Sequence, residues 1–324
     1  MDSNELRKEI EIMSKKPVKD VNSKEMTKFQ WTLYQMKENW VGYAFTLPFM
    51  IIFILFTVLP VIASIVLSLT SYNLVQMPSW VGFDNYIQLF LDDELFIIAL
   101  KNTLIFAVAT GPASYILSFA VAWFINELPP KSRAVITLIF YAPSICTAYG
   151  IFQYFFDGDA YGLVNSWGMK LGLIDAPILW FKDERYIMPL CIAIALWMSL
   201  GTAFLSFIAG LQGVDRSQYE AAAVDGVTNR WQELWYVTLP NMKNQLMFGA
   251  VMAITGSFSF GAVVTQLAGN PSQGYCAYTL AHHMEEYSSV RWEIGYASAI
   301  AFLMFLLCFG ANQLITKMLS KVGQ

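Results

Sequence analysis

The chain has 324 residues, of which 56% are apolar and only 14% are Asp, Glu, Lys or Arg, against roughly 25% charged residues in a soluble domain. With a mean hydropathy of +0.47 it carries more hydrocarbon than a water-soluble globule readily hides, and the composition points to a protein solvated by lipid. A net charge of −4 supplies no basic field for nucleic acid, and four scattered cysteines without a C-x-x-C pair indicate neither a disulfide framework nor a zinc site.

Residues 1–40 read as a tail. Its first part mixes cations and acids, has few aromatics and is expected to lack order. Phe29, Trp31, Tyr34 and Trp40 then form an interfacial elbow, because aromatic rings favour the headgroup level. The first apolar run follows too long a tail for a secretory signal and is expected to be an uncleaved span.

A span needs about 20 apolar residues with few or no charges. Charge-free windows of that length occur at 39–83, 102–126, 134–156, 186–214, 244–284 and 294–316. They predict six helical cores near 43–69, 103–125, 134–156, 188–211, 246–267 and 295–316. The expected fold class is an all-α polytopic membrane protein, with a transmembrane domain over 41–318 and a short C-terminal tail, 319–324. Fifteen of the twenty cations fall in the tail, the second and fourth loops and the C-terminus, which places both termini in the cytoplasm. Pro48, Pro60, Pro112 and Pro143 inside the cores require neighbours to satisfy the backbone groups they free, so the helices are expected to form a packed bundle.

The fourth loop, 213–245, is more than a connection. Ser217 can cap a helix with Glu220 completing a capping box, and Ala221 to Ala223 favour helix. Asp225-Gly226 supplies a turn. A second amphipathic segment carries Trp231, Leu234, Trp235 and Val237, with Pro240 expected to stop it.

Glu220-Ala221-Ala222, Asp225-Gly226 and Leu239-Pro240 resemble the EAA loop of the membrane subunits of binding-protein-dependent ABC importers. Asn102-Thr103, Pro143-Ser144, Gly162, Asn165 and Gly295 to Ala299 are similar to the carbohydrate branch of that family, the maltose- and glycerol-3-phosphate-type permeases. The resemblance implies a type I, MetI-like permease fold and a coupling helix that docks in a groove of an ATPase, with Glu220 as the acidic contact and Gly226 as the turn. It also implies the partners: a second permease subunit, a pair of ATPase subunits and an external solute-binding protein seated on the outer loops 70–95, 157–187 and 268–294. The sequence departs from the pattern in Val227, in Gly269-Asn270-Pro271, and in an interval from Gly226 to Pro240 that is one residue longer than the commonest form.

The chain has no phosphate-binding G-x-x-x-x-G-K-[ST] motif, so ATP and Mg are expected in the partner subunit, with no cofactor and no catalytic site here. Asp157-Gly158-Asp159 lacks the later ligands of a calcium loop. His282-His283 with Glu285 and Glu286 lacks zinc-protease spacing and is expected to form an outer-loop docking surface or a plain solvated face. A sugar path needs hydroxyls, amides and aromatic faces within the bundle. Tyr141, Ser144 and Thr147, Trp197, Ser199 and Thr202, and Thr255, Ser257, Ser259 and Gln266 are the candidates, Thr255 and Ser259 sharing a face at i, i+4 and Ser199 and Thr202 at i, i+3. Their alternative role is to bond a helix carbonyl. Uncharged cores favour a neutral solute over ions. The expected function is ATP-driven import of a sugar or oligosaccharide by alternating access, with glycerol phosphate or a polyol, or an ATP-independent carrier, as alternatives.

Overall fold

The computed structural model describes residues 28–146 and 149–320. The expected disorder of the early tail, Thr147, and residues 321–324 lie outside them, as does the side chain of Phe29. The chain divides into two compact units, 1–63 and 64–324. The first contains α1 (Lys28–Glu38), α2 (Trp40–Phe53) and a π turn (Ile54–Val58) that leads into α3 (Leu59–Leu67). The π turn has a local cause. Pro60 has no N–H and its ring crowds the carbonyl four residues back, and the Leu59 N–H bonds to Ile54 O, one residue further than in an α-helix.

The second unit opens with a two-stranded antiparallel hairpin, β1 (Thr70–Ser71) and β2 (Ser79–Trp80), and α4 (Asp84–Leu91). Then comes α5 (Glu94–Asn126), 33 residues without interruption despite Pro112. Next are α6 (Pro130–Cys146), α7 (Tyr149–Phe155), α8 (Leu163–Lys170), α9 (Glu184–Met198) and α10 (Thr202–Gly213). A helical hairpin follows, with α11 (Arg216–Val224), α12 (Arg230–Glu233), a second π turn (Leu234–Thr238) and α13 (Leu239–Asn241). The chain ends with α14 (Lys243–Phe258), α15 (Gly261–Ala268), α16 (Leu280–Glu285) and α17 (Ile294–Ser320).

Among the described residues four stretches are long and apolar enough to cross a membrane, namely 40–67, α5, 184–213 and α17. Two bent pairs, α6 with α7 and α14 with α15, bring the number to six when each pair is one span. The expected spans therefore exist, but only some are continuous. The expected start of the second, near 103, moves outward to Glu94 because Asp93 caps the helix through Phe96 N at 3.0 Å.

Three buried clusters hold this unit together, and α5 contributes to each of them. Phe96 and Ala99 pack with Tyr278, Leu280, Tyr296 and Ile300. Phe106 packs with Ile187, Ile194 and Val264, and Ala122 and Ile125 pack with Phe204, Phe207 and Met242. Close approach depends on glycine where α10 meets α14. A Cβ added at Gly249 would lie 2.2 Å from the Phe207 ring, which itself packs edge-on against Tyr115 and Phe119.

Candidate functional site: a coupling hairpin and a hydroxyl-lined cavity

The hairpin folds as sequence chemistry dictates, with two changes. The cap of α11 is Asp215, not Ser217. The Asp215 carboxylate accepts the Ser217 N–H at 3.0 Å, and that bond holds the carboxyl below its usual range. A charged cap satisfies the helix dipole as well as the orphan amide. Glu220, released from the expected capping box, pairs instead with Arg216 one turn back at 3.6 Å, on the exposed face.

The Ala-rich turn ends in a Schellman closure. Val227 N–H bonds Ala222 O at 3.0 Å and Gly226 N–H bonds Ala223 O at 3.3 Å, which requires Gly226 at φ +95°. This leaves Glu220, Ala221, Ala223, Val224, Asp225 and Gly226 exposed, with Val224 88% exposed. Small and apolar groups thus form the tip of the hairpin around two carboxylates, Glu220 and Asp225.

The second arm starts at Asn229, whose side chain accepts the Trp231 N–H at 3.1 Å. Leu234, Val237 and Thr238 face inward, whereas Trp231 and Trp235, expected on the apolar face, are exposed. Pro240 does not stop this arm, which runs on to Asn241 and breaks at Met242. The strain of Pro240 is absorbed upstream in the π turn, where Leu239 N–H reaches Leu234 O. The two arms are tied by Tyr219 Oη to Thr238 Oγ1 at 2.9 Å and by the Asn241 amide donating to Gln218 Oε1. A cleft of about 820 Å³ separates them from the end of α5, with Trp123, Glu127, Tyr219, Glu220, Arg230 and Glu233 on its walls. Arg230 bridges it, 3.2 Å from Glu127 and 2.9 Å from Glu233.

A second cavity, of about 280 Å³, lies where two spans are broken. Ser144, Ser199, Thr202, Ser257 and Ser259 all line it, together with Ser114, Ser118 and Tyr149. The face argument that grouped some of them is corrected. Ser199 and Thr202 flank the gap between α9 and α10 and share no continuous helix, whereas Ser259 caps the end of α14 and reaches back to Thr255 O. The gaps bring them together instead. Of the other candidates, Tyr141 packs in the Phe204 cluster, Trp197 lies against Phe140 with ring centroids 6.0 Å apart, and Thr255 accepts from Asn312 of α17 at 3.5 Å. Gln266 lies further along α15, its carbonyl accepting from Gln153 at 2.6 Å.

The hydroxyls divide by their hydrogen-bond state. Ser114, Ser144, Ser199, Ser257 and Ser259 donate to carbonyls of their own helices, at 3.0, 2.8, 2.7, 2.7 and 3.3 Å. Their protons are committed, and the oxygens remain as acceptors. Ser118, 1% exposed, has no hydrogen-bond partner among the described residues. Sequence reasoning missed Ser114 and Ser118, although their i, i+4 spacing beside Gly111 in the charge-free window 102–126 was a visible signal.

At the far end of α5 stands a buried polar cluster. Asp93 accepts from His283 Nε2 at 2.9 Å, Tyr296 Oη at 2.8 Å and Tyr287 Oη at 3.3 Å, besides capping the helix. Burial alone would raise the Asp93 carboxyl, but the Tyr296 hydroxyl, His283 and the Phe96 N–H outweigh it and hold the acid below its usual range. Burial keeps His283 below its ordinary value, so this contact is a hydrogen bond from a neutral imidazole. His282 bonds Thr265 and Thr279, and burial pushes it down to about 4. The expected solvated or docking role of this pair is thereby overturned, since both imidazoles are 1% exposed. Nearby, Asn102 donates to Tyr275 O and Tyr278 O, and Thr103 accepts the Leu280 N–H at 2.9 Å. Asn165 likewise organises its own loop, donating to the carbonyls of Asp157, Asp159 and Ile178.

Spanning helices with broken members, a small-residue helical hairpin at one end and a polar cavity within define a multi-pass transport component. The chain belongs to the family described as binding-protein-dependent transport system inner membrane component, whose model matches residues 31–322. It is 34% identical to the probable ABC transporter permease protein YesP of Bacillus subtilis over 84% of this chain and 87% of that protein. It is 30% identical to the arabinooligosaccharides transport system permease protein AraP of the same organism, over 82% and 84%. Among solved structures, a bacterial ABC transporter involved in the import of the acidic polysaccharide alginate superposes with a TM-score of 0.75 at 23% identity, covering 90% of this chain and 99% of that one. The fold is that of a type I ABC importer permease.

Proposed function

We propose that this chain passes a neutral sugar or oligosaccharide inward across the cytoplasmic membrane, through the cavity between α5, α9, α10, α14 and α15. The observation that carries this reading is the chemistry of that cavity. Its walls hold seven Ser and Thr hydroxyls and Tyr149, and no Asp, Glu, Lys or Arg among the described lining residues. Sugar hydroxyls are donors as well as acceptors, and serine oxygens whose own protons are bound to backbone are suited to receive them. A uronate would require a cation that this wall does not offer. The relatives named for arabinooligosaccharides, and for lactose in Rhizobium radiobacter, support a carbohydrate cargo.

The cation distribution orients the hairpin to the cytoplasm, together with both termini. There the Glu220, Ala221 and Ala222 stretch, with Glu220 and Ala221 exposed, held by Asp225-Gly226 and braced by Leu239-Pro240, docks on an ATPase subunit that supplies ATP and Mg chemistry. A second permease completes the pathway, and a solute-binding protein delivers cargo to the opposite face. Closure of the ATPase pair moves the hairpins together and turns the cavity outward.

The test is uptake by the complete transporter in proteoliposomes loaded with ATP, offered lactose, arabinooligosaccharides and oligouronates in turn. ATP-dependent accumulation of a neutral saccharide is expected, with oligouronates excluded. Accumulation of oligouronates alone, or uptake independent of ATP, would refute the reading.

A further inference from the structure

We infer that α5 is the rigid link that carries motion from the coupling hairpin to the outer face, with Glu127 and Asp93 as positioning residues at its two ends. The inference rests on the reading above and deepens it.

The argument begins with continuity. At 1.5 Å per residue, the 33 residues of α5 extend about 50 Å, well beyond a hydrocarbon core of about 30 Å. The same helix enters all three buried clusters and supplies Ser114 and Ser118 to the cavity wall. The facing walls have no such continuity. α9 and α10 are separated at Ser199–Gly201, and α14 and α15 at Ser259–Phe260, and Ser199, Ser259 and Phe260 themselves line the cavity. A force applied along this bundle is transmitted by the unbroken helix, and the interrupted ones yield at the cargo.

Both ends of the link are gripped. At the cytoplasmic end, Glu127 lies just past the last turn of α5 and binds Arg230, the first residue of the hairpin's second arm, at 3.2 Å. One turn earlier, Trp123 packs on Trp231 with ring centroids 5.1 Å apart. At the outer end Asp93 gathers His283, Tyr287 and Tyr296, which tie α16, the turn that follows it and the start of α17 to the tip of α5. The Glu127–Arg230 pair is 43% and 65% exposed, and pairs of this kind contribute little to stability. Its position between the hairpin and the longest rigid element gives it another use: it makes the hairpin and α5 move as one body.

The test uses the assembled transporter in proteoliposomes, its four native cysteines replaced by serine and Ser259→Cys added as a reporter in the cavity. Labelling by a membrane-impermeant maleimide from the outer side is followed with and without ATP and vanadate. In the parent, trapping is expected to raise the labelling rate about tenfold. Glu127→Gln, Arg230→Gln and Asp93→Asn are each expected to hold the rise below about twofold. The charge-swapped pair Glu127→Arg with Arg230→Glu, made together with Glu233→Gln so that the new carboxylate does not face a second one, is expected to restore it. A structural role alone predicts lower yield of assembled complex with an undiminished response in what assembles. A full response in the single variants, or failure of the swap to rescue, would overturn the linkage. No response in the parent would instead overturn the ATP-driven reading beneath it.

Discussion

The helices that face one another across the cavity are built on opposite plans. α5 runs unbroken past Pro112, whereas its partners stop and restart beside the cavity hydroxyls. The difference follows from what each wall must do. A continuous helix keeps nearly all its backbone groups paired internally and presents mainly side chains, so Ser114 is a fixed acceptor and Ser118 a free hydroxyl on a stiff surface. A broken helix exposes backbone polar groups and allows its halves to tilt, arrangements tolerated at membrane depth only around a polar cavity or within protein. Stiffness and compliance are therefore divided between the two sides of one site.

The sharpest way to break this arrangement is at the seam between its yielding parts. Gly249→Val would place a branched side chain where even a Cβ lies 2.2 Å from Phe207. Overpacking of this kind costs about 1–3 kcal/mol or more, and loss of the monodisperse detergent-solubilised chain on size exclusion is expected. Phe207→Ala in the same chain should recover part of it. An unchanged elution profile for Gly249→Val alone would show that the seam is looser than the geometry states.

Acidification sharpens the contrast between the outer and inner ends. His282 is held at about 4 in the fold and titrates near 6.5 when unfolded. Its contribution is therefore fully present above about pH 6.5 and is lost as the pH falls toward 4. The difference corresponds to at most about 3 to 4 kcal/mol. His283 is lowered in the same sense. Melting temperature should fall over this window in the parent, and less steeply in His282→Gln. A pH-independent melting curve between 6.5 and 4 would contradict the burial of the pair.

Gly226→Ala forces a side chain into a left-handed backbone at φ +95°, at about 1–2 kcal/mol. The global fold should survive this, while transport falls sharply because the hairpin tip is displaced. Normal transport rates in the variant would remove the turn from the coupling role. Smallest in stability is Glu220→Ala, which deletes one side of an exposed i, i+4 pair. No measurable change in melting is expected, yet ATP-dependent uptake should drop. Uptake that tracks stability in this variant would sink the proposed contact with the ATPase.

The membrane class, the six spans and the hairpin were legible because each follows from local chemistry: charge-free windows for the spans, and alanines followed by Asp-Gly for a Schellman turn. The cap moved from Ser217 to Asp215 because both are competent caps and only the backbone decides between them. The cavity was half legible. Ser199, Thr202, Ser257 and Ser259 were marked by polarity in apolar runs, but periodicity cannot reveal a break that lets residues from two half-helices meet. The histidines were misjudged because charged neighbours in a loop imply solvent, whereas Asp93, nearly two hundred residues away in sequence, supplies a buried acceptor. No local pattern encodes that partner.

The π turn at Leu234–Thr238 sets the register of the hairpin's second arm. A π turn holds one residue more than the α-helical turn it replaces, and here it carries the chain past the ring of Pro240, which has no N–H for the carbonyl four residues back. The surplus is stored as a local bulge, so Asn241 still meets Gln218. Excising one residue between Leu234 and Thr238 together with Pro240→Ala should relax the bulge into ordinary helix and leave both flanks in phase, whereas excising one between Val227 and Asn229 should throw the whole second arm out of step.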